Sequence, residues 1–389
     1  MKYNKNKKNK KRKNKEENKS KREQNKTHKI NKKKNIFRKM KKEDDSYSIR
    51  FKHSEDFIDA QDLYAYCNYL VFKSFNNIFY LVYATESNSI IYYNIEDKSK
   101  IIEIKNCHKN SIYLLKYISD DINKRILVLS LSSNNDLKVW NSNNFECILN
   151  LENINLEGKY FTFSACFIKE NNKIYIGVSD NGNNVGPLKV FNLEGNLIKK
   201  INNGGADYIE SYFDEKLSNN YLLSSSLYSL ESYDFKSNKR YKLYEDLNDV
   251  SHPKTYLYYY KVFSIYNDDN ITKLIGFRRE GAVFFQVWNF HSGEKLKKIV
   301  YKNYFYINDA CLWNNQYLLI TYAEKGEDMA GKEDNYIKLI NLKNGEIVKD
   351  LIKFPKFYLF FVKKFIHPSY GECLLTFGYD YIIKLWKLK

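Results

Sequence analysis

From Tyr47 to the end of the chain, short apolar runs of four to eight residues alternate with clusters of Asn, Asp, Ser and Gly that recur every eight to twelve residues. Runs this short, rich in β-branched and aromatic residues and bounded by turn formers, predict strands joined by tight turns. The first part of the chain lacks the pattern. Apart from Ile30, Ile36, Phe37 and Met40 it holds almost no apolar side chains, too few to offset the entropy of ordering a chain. The pattern therefore predicts a disordered Lys/Asn-rich tail over residues 1–45 and one folded domain over 46–389.

Within the folded part, short strands that end in an aromatic or apolar residue followed by a polar one recur. They read I-I-Y-Y-N ending at Asn94, L-K-V-W-N at Asn141, L-K-V-F-N at Asn192, L-E-S-Y-D at Asp234, F-Q-V-W-N at Asn289, I-K-L-I-N at Asn341 and I-K-L-W-K at Lys387. Their aromatic-position residues are Tyr93, Trp140, Phe191, Tyr233, Trp288, Ile340 and Trp386, spaced by 47, 51, 42, 55, 52 and 46 residues. A self-similar unit of this length, built of several short strands, predicts one propeller blade per repeat and hence an all-β, seven-bladed ring. The sequence ends two residues after Lys387, so the last repeat lacks an outer strand. Tyr47 to Lys52, Y-S-I-R-F-K, has the alternation to supply it and so to remove an exposed sheet edge.

Two segments resemble the WD-repeat family. His108 to Asn141 is similar to a full repeat from its histidine to its tryptophan, and Phe361 to Leu388 places Asp380 six residues before Trp386, the family's spacing. The resemblance covers about residues 46 to 389. It implies a hydrogen-bonded set of His, Ser or Thr, Asp and Trp within a blade, groups that are costly to bury unless they pair with one another. Carried onto this sequence, the set is His108, Ser130, Asn134 and Trp140, with Asn in place of Asp. Blade seven offers Thr376, Asp380 and Trp386, with no histidine at the corresponding place.

The resemblance also implies an interaction scaffold that binds other proteins, with the loops after each second strand and before each first strand on one face. Ser179 to Pro187 and Glu324 to Asn335 are extended loops of that kind. The candidate partner-binding rim is Arg278, Arg279, Glu324, Lys325, Glu327, Asp328, Lys332, Glu333 and Asp334. Blades five and six are neighbours in the ring, which predicts the two arginines beside a mixed-charge loop, a combination suited to a protein partner. Phe277-Arg278-Arg279-Glu280-Gly281 partly resembles the F-R-R-G motif of phosphoinositide-binding propellers. Glu280 interrupts that motif, so the reading is a surface arginine pair in a loop between the second and third strands.

Charge separates the two parts of the chain. The formal net charge is +18, from 64 Lys or Arg and 46 Asp or Glu. Residues 1–42 hold 21 of the basic side chains and only Glu16, Glu17 and Glu23, so the tail carries the whole excess and the rest is balanced. An argument from net charge to a polyanionic partner therefore falls on the tail. Its lysines can neutralise phosphates without any fold, so contact with RNA, or a role as an RNA- or chromatin-associated component, is an alternative expectation. Lys10, Lys11, Arg12 and Lys13 fit the short basic pattern read by nuclear import receptors, which favours the nucleus over the cytoplasm. A membrane-surface role is a third reading, weakened because Lys2 and the Lys387-Leu388-Lys389 end carry no acylation signal.

Motifs for chemistry are few. Cys67, Cys107, Cys147, Cys166, Cys311 and Cys373 are too far apart for C-x-x-C zinc spacing. The chain has no apolar leader and no run near the roughly 18 apolar residues of a membrane span, which predicts an intracellular protein with free thiols. G-x-S-x-G, G-x-x-x-x-G-K and H-E-x-x-H are absent from the sequence. The expectation is a non-catalytic protein with no cofactor and no metal.

Overall fold

The computed structural model describes residues 51–59, 69–152, 154, 162–180, 187–201, 208–225, 229–246, 261–268, 270–280, 282–301, 305–306, 309–324, 334–354, 359–378 and 382–388. The tail expected over residues 1–45, with Lys10 to Lys13, lies outside them. Strands Phe51 to Leu388 make one compact unit without a helix among the described residues.

Seven antiparallel sheets form a β-propeller. Blade one is Leu70–Lys73, Phe79–Ala84, Ile90–Asn94 and Ser99–Ile104, and blade two is Ile112–Asp120, Arg125–Ser132, Leu137–Asn141 and Glu146–Leu151. Blade three is Thr162–Glu170, Lys173–Asp180, Leu188–Asn192 and Leu197–Ile201, and blade four is Tyr208–Asp214, Asn219–Ser225, Ser229–Asp234 and Lys239–Asp246. Blade five is Lys261–Asp268, Ile271–Glu280, Ala282–Asn289 and Lys295–Tyr301. In blade six the first strand is split into Phe305–Tyr306 and Ala310–Trp313, followed by Tyr317–Glu324, Asn335–Asn341 and Ile347–Phe354. Blade seven takes Leu359–His367, Gly371–Gly378 and Ile382–Leu388 from the end of the chain. First strands of neighbouring blades touch one another, so they surround the axis, and the fourth strands form the outer wall.

The ring closes through the N-terminal strand Phe51–Asp59, which pairs antiparallel with Ile382–Leu388 as the fourth strand of blade seven. This corrects the expected closing segment, Tyr47 to Lys52. Only its last two residues lie in the described strand, and residues 47–50 lie outside the described residues. The reason is physical. Register shifts between His53 and Glu55 and between Asp56 and Ile58 break the two-residue period, so the paired segment carries no alternation for a sequence reading to find.

The seven aromatic-position residues all fall in third strands, and each lies beside a register shift. The shifts lie between Tyr92 and Tyr93, Val139 and Trp140, Val190 and Phe191, Ser232 and Tyr233, Val287 and Trp288, and Leu339 and Ile340. In blade seven the shift falls opposite Trp386 and Leu385. Each bulge adds a residue to the outer strand and increases its twist. The large side chain of the third strand packs on the preceding blade. Trp140 joins Leu70, Phe72, Tyr80 and Tyr92 of blade one, and Trp288 joins Tyr221, Leu223 and Tyr244 of blade four. Trp386 meets Phe354 of blade six edge-on with ring centroids 5.4 Å apart.

Turns complete the repeat. Among the described residues, nine of the thirteen non-glycine positions with positive φ are Asn, including Asn77, Asn135, Asn172, Asn238 and Asn314. Asn tolerates this left-handed conformation, so part of the Asn content is a demand of the hairpins. The turns after the third strands of blades three, five and six rest on the outer strand of the previous blade. At Gly345, φ +78°, an added Cβ would lie 2.8 Å from Ile299 of blade five, so both conformation and space require glycine.

Candidate interaction surface

Three members of the expected hydrogen-bonded set meet in blade two. His108 Nε2 and Ser130 Oγ share a 2.7 Å hydrogen bond, and Trp140 Nε1 donates to the same oxygen at 2.9 Å. Asn134 does not join them. Its Oδ1 accepts from Ser132 Oγ and its Nδ2 donates to Asp136 Oδ2 at 2.5 Å, so the amide is held by its own turn. His108 Nδ1 is left without a hydrogen-bond partner among the described residues. Burial, with a further contribution from the Lys138 charge, lowers the His108 pKa to about 4 against the opposing pull of Asp136. In blade seven Trp386 Nε1 donates to Thr376 Oγ1 at 2.9 Å, while Asp380 lies outside the described residues.

The expected partner rim is described only in part. Arg278 and Arg279 lie inside the second strand of blade five, paired in register with Phe284 and Val283, and not in the loop expected from the sequence. Strand pairing runs through Glu280 to Ala282, so the reversal is tighter than the sequence implies. Glu324 ends the second strand of blade six, on the corresponding edge. Lys325, Glu327, Asp328, Lys332 and Glu333 lie outside the described residues. Asp334 is bridged at 2.5 Å by Lys353 of its own blade's outer strand.

Two polar clusters near the axis escaped the sequence reading. Lys116 in the first strand of blade two pairs with Glu210 in the first strand of blade four, and Tyr208 donates to the same carboxylate at 3.0 Å. A pair that passes over blade three joins the ring across its centre. Burial pushes the Lys116 ammonium down, and Glu210 with Tyr208 more than offsets this, leaving its pKa above the ordinary lysine value. In blade six the buried Asp309 accepts from the Val362 backbone at 3.1 Å and lies 3.4 Å from Lys363, both in blade seven. These partners lie about fifty or more positions apart along the chain, and no sequence motif marks them.

Three of the described thiols offer little nucleophilic character. Burial pushes Cys107 and Cys311 up to about 12 and Cys373 to about 11, which keeps them protonated at neutral pH. No group of His, Cys, Asp and Glu able to hold a metal ion is found among the described residues. Nor is any described helix long and apolar enough to cross a membrane.

Large exposed apolar side chains fall into two sets. One lies on outer strands: Ile101, Leu197, Ile198, Leu243, Leu296, Val300, Ile347 and Val348. The other lies where first strands turn into second strands, with Tyr117 and Ile122 in blade two, Phe213 and Leu217 in blade four, Ile271 in blade five, and Ile366 and Tyr370 in blade seven. The second set lies on the face opposite Glu324, in blades two, four, five and seven. No protein-family model matches the chain, and no curated protein matches it.

Proposed function

We propose that this chain is a non-catalytic interaction scaffold, a WD-repeat-type propeller that binds protein partners. The observation that carries the reading is the apolar set at the first-to-second-strand turns. Phe213 and Leu217 are at least half exposed and Ile366 is 66 % exposed on the end of a closed ring whose interior is otherwise packed. Large apolar side chains left exposed on one face of a rigid ring suit a surface that is covered in use. The WD-repeat assignment draws support from the shared hydroxyl of Ser130 between His108 and Trp140.

A tagged full-length chain expressed in cells tests this reading. Partners that survive nuclease and are lost from Phe213→Ser and Ile366→Ser variants with wild-type melting would support it; partners unaffected by both changes would remove this rim from consideration. A second reading rests on the +18 charge of residues 1–42, which suits polyanion contact and nuclear import. Recovery that depends wholly on intact nucleic acid would favour that reading.

A further inference from the structure

The balanced charge of the propeller is not evenly spread over its outer wall. The outer strands Leu197–Ile201, Lys239–Asp246 and Lys295–Tyr301 of blades three, four and five hold two, three and three Lys or Arg, against Glu245 and Asp246 alone. The outer strands of blades one, two and six hold three Lys and three acids, and that of blade seven holds Lys52 against Glu55, Asp56 and Asp59. Lysines on edge strands protect against unwanted strand pairing. That need is the same in every blade, so it does not account for a wall that is basic over three neighbours only.

The basic segments adjoin one another. Lys199 of blade three donates to the Phe235 carbonyl in a turn of blade four. Gly293 in a turn of blade five lies against Lys242 and Leu243 of blade four, and Lys297 of blade five donates to the Lys343 carbonyl of blade six. Between the cations lie Leu197, Ile198, Leu243, Leu296 and Val300, each at least 37 % exposed.

We infer that this wall binds an extended acidic protein segment whose apolar side chains alternate with its carboxylates. The inference rests on the scaffold reading and gives one partner its chemistry. Curvature selects the occupant. In a ring of seven, neighbouring blades turn by about 51°, so blades three to five span roughly 100° of arc. A planar bilayer tangent to blade four would leave the other two untouched, and a stiff nucleic-acid duplex meets the same limit. Single-stranded nucleic acid binds best on exposed aromatic faces. The large exposed side chains described on this wall are aliphatic. A flexible chain can follow the arc, pair its carboxylates with the lysines and use the free edge of an outer strand for backbone hydrogen bonds.

The experiment titrates full-length protein with a labelled peptide in which glutamate alternates with leucine. Every variant retains the basic tail, so its contribution is constant. Lys200→Glu, Lys239→Glu and Lys298→Glu together should weaken binding about tenfold at moderate salt, while Lys100→Glu, Lys349→Glu and Lys353→Glu should change it less than about twofold. Phe213→Ser should leave peptide binding intact, which separates this wall from the apolar rim. Equal losses in both charge-reversed variants would overturn the inference. It would also be overturned if phosphatidylserine vesicles or oligouridine bound the wild type and lost affinity only in the first variant while the peptide bound none of the proteins.

Discussion

The third strands of the propeller and its outer strands have been shaped by different demands. Third strands repeat one device: a large residue packs on the preceding blade beside a bulge, in all seven sheets. Of the bulged outer residues, Ile101, Ile198, Leu296 and Val348 stay exposed while Ile148 and Tyr241 are half-buried, and the charges beside them vary in sign from blade to blade. Positions fixed by packing recur; those released from packing are where a repeat protein can differentiate one side of the ring from another.

The largest expected effect separates two residues that meet across one bulge. Trp288 is fully buried while Leu296 is 38 % exposed. Trp288→Ala should cost about 3–5 kcal/mol in denaturant unfolding, and Leu296→Ala no more than about 0.5 kcal/mol. Similar costs would break the contrast. A somewhat smaller effect follows from acid. The folded-state pKa of His108 is lowered from 6.5 to about 4, so between these values the unfolded chain binds the extra proton. The stability linked to this group is full above pH 6.5 and lost as pH falls toward 4, by roughly 3 kcal/mol in all. Melting curves between pH 7 and 5 should therefore fall more steeply for the wild type than for His108→Gln.

Much of this interior was legible in the sequence. Seven strand endings recur with Tyr93, Trp140, Phe191, Tyr233, Trp288, Ile340 and Trp386 in one position, because a packed position tolerates only large apolar side chains. The closing strand was misplaced because its two bulges erase alternation. Asn134 was expected at His108, yet Ser132 and Asp136, two residues to either side, hold it locally; spacing alone does not reveal that competition. The basic wall was invisible for another reason. Its three segments lie far apart in a sequence whose folded part sums to no net charge, and only the repeat brings them together.

Smaller effects sharpen the contrast. Ser130→Ala removes the oxygen shared by His108 and Trp140 and should cost about 1–3 kcal/mol, since both nitrogens remain buried. The triple reversal at Lys200, Lys239 and Lys298, all exposed, should change unfolding free energy by less than about 1 kcal/mol. A large loss of stability in that variant would assign the lysines to the fold and not to a partner.

Hydrogen exchange on full-length protein, with and without the glutamate–leucine peptide, tests the differentiated wall most directly. Slowed exchange should be confined to the outer strands Leu197–Ile201, Lys239–Asp246 and Lys295–Tyr301, with Ser99–Ile104 and Ile347–Phe354 unchanged. Protection spread equally over all outer strands, or found only in residues 1–42, would contradict it.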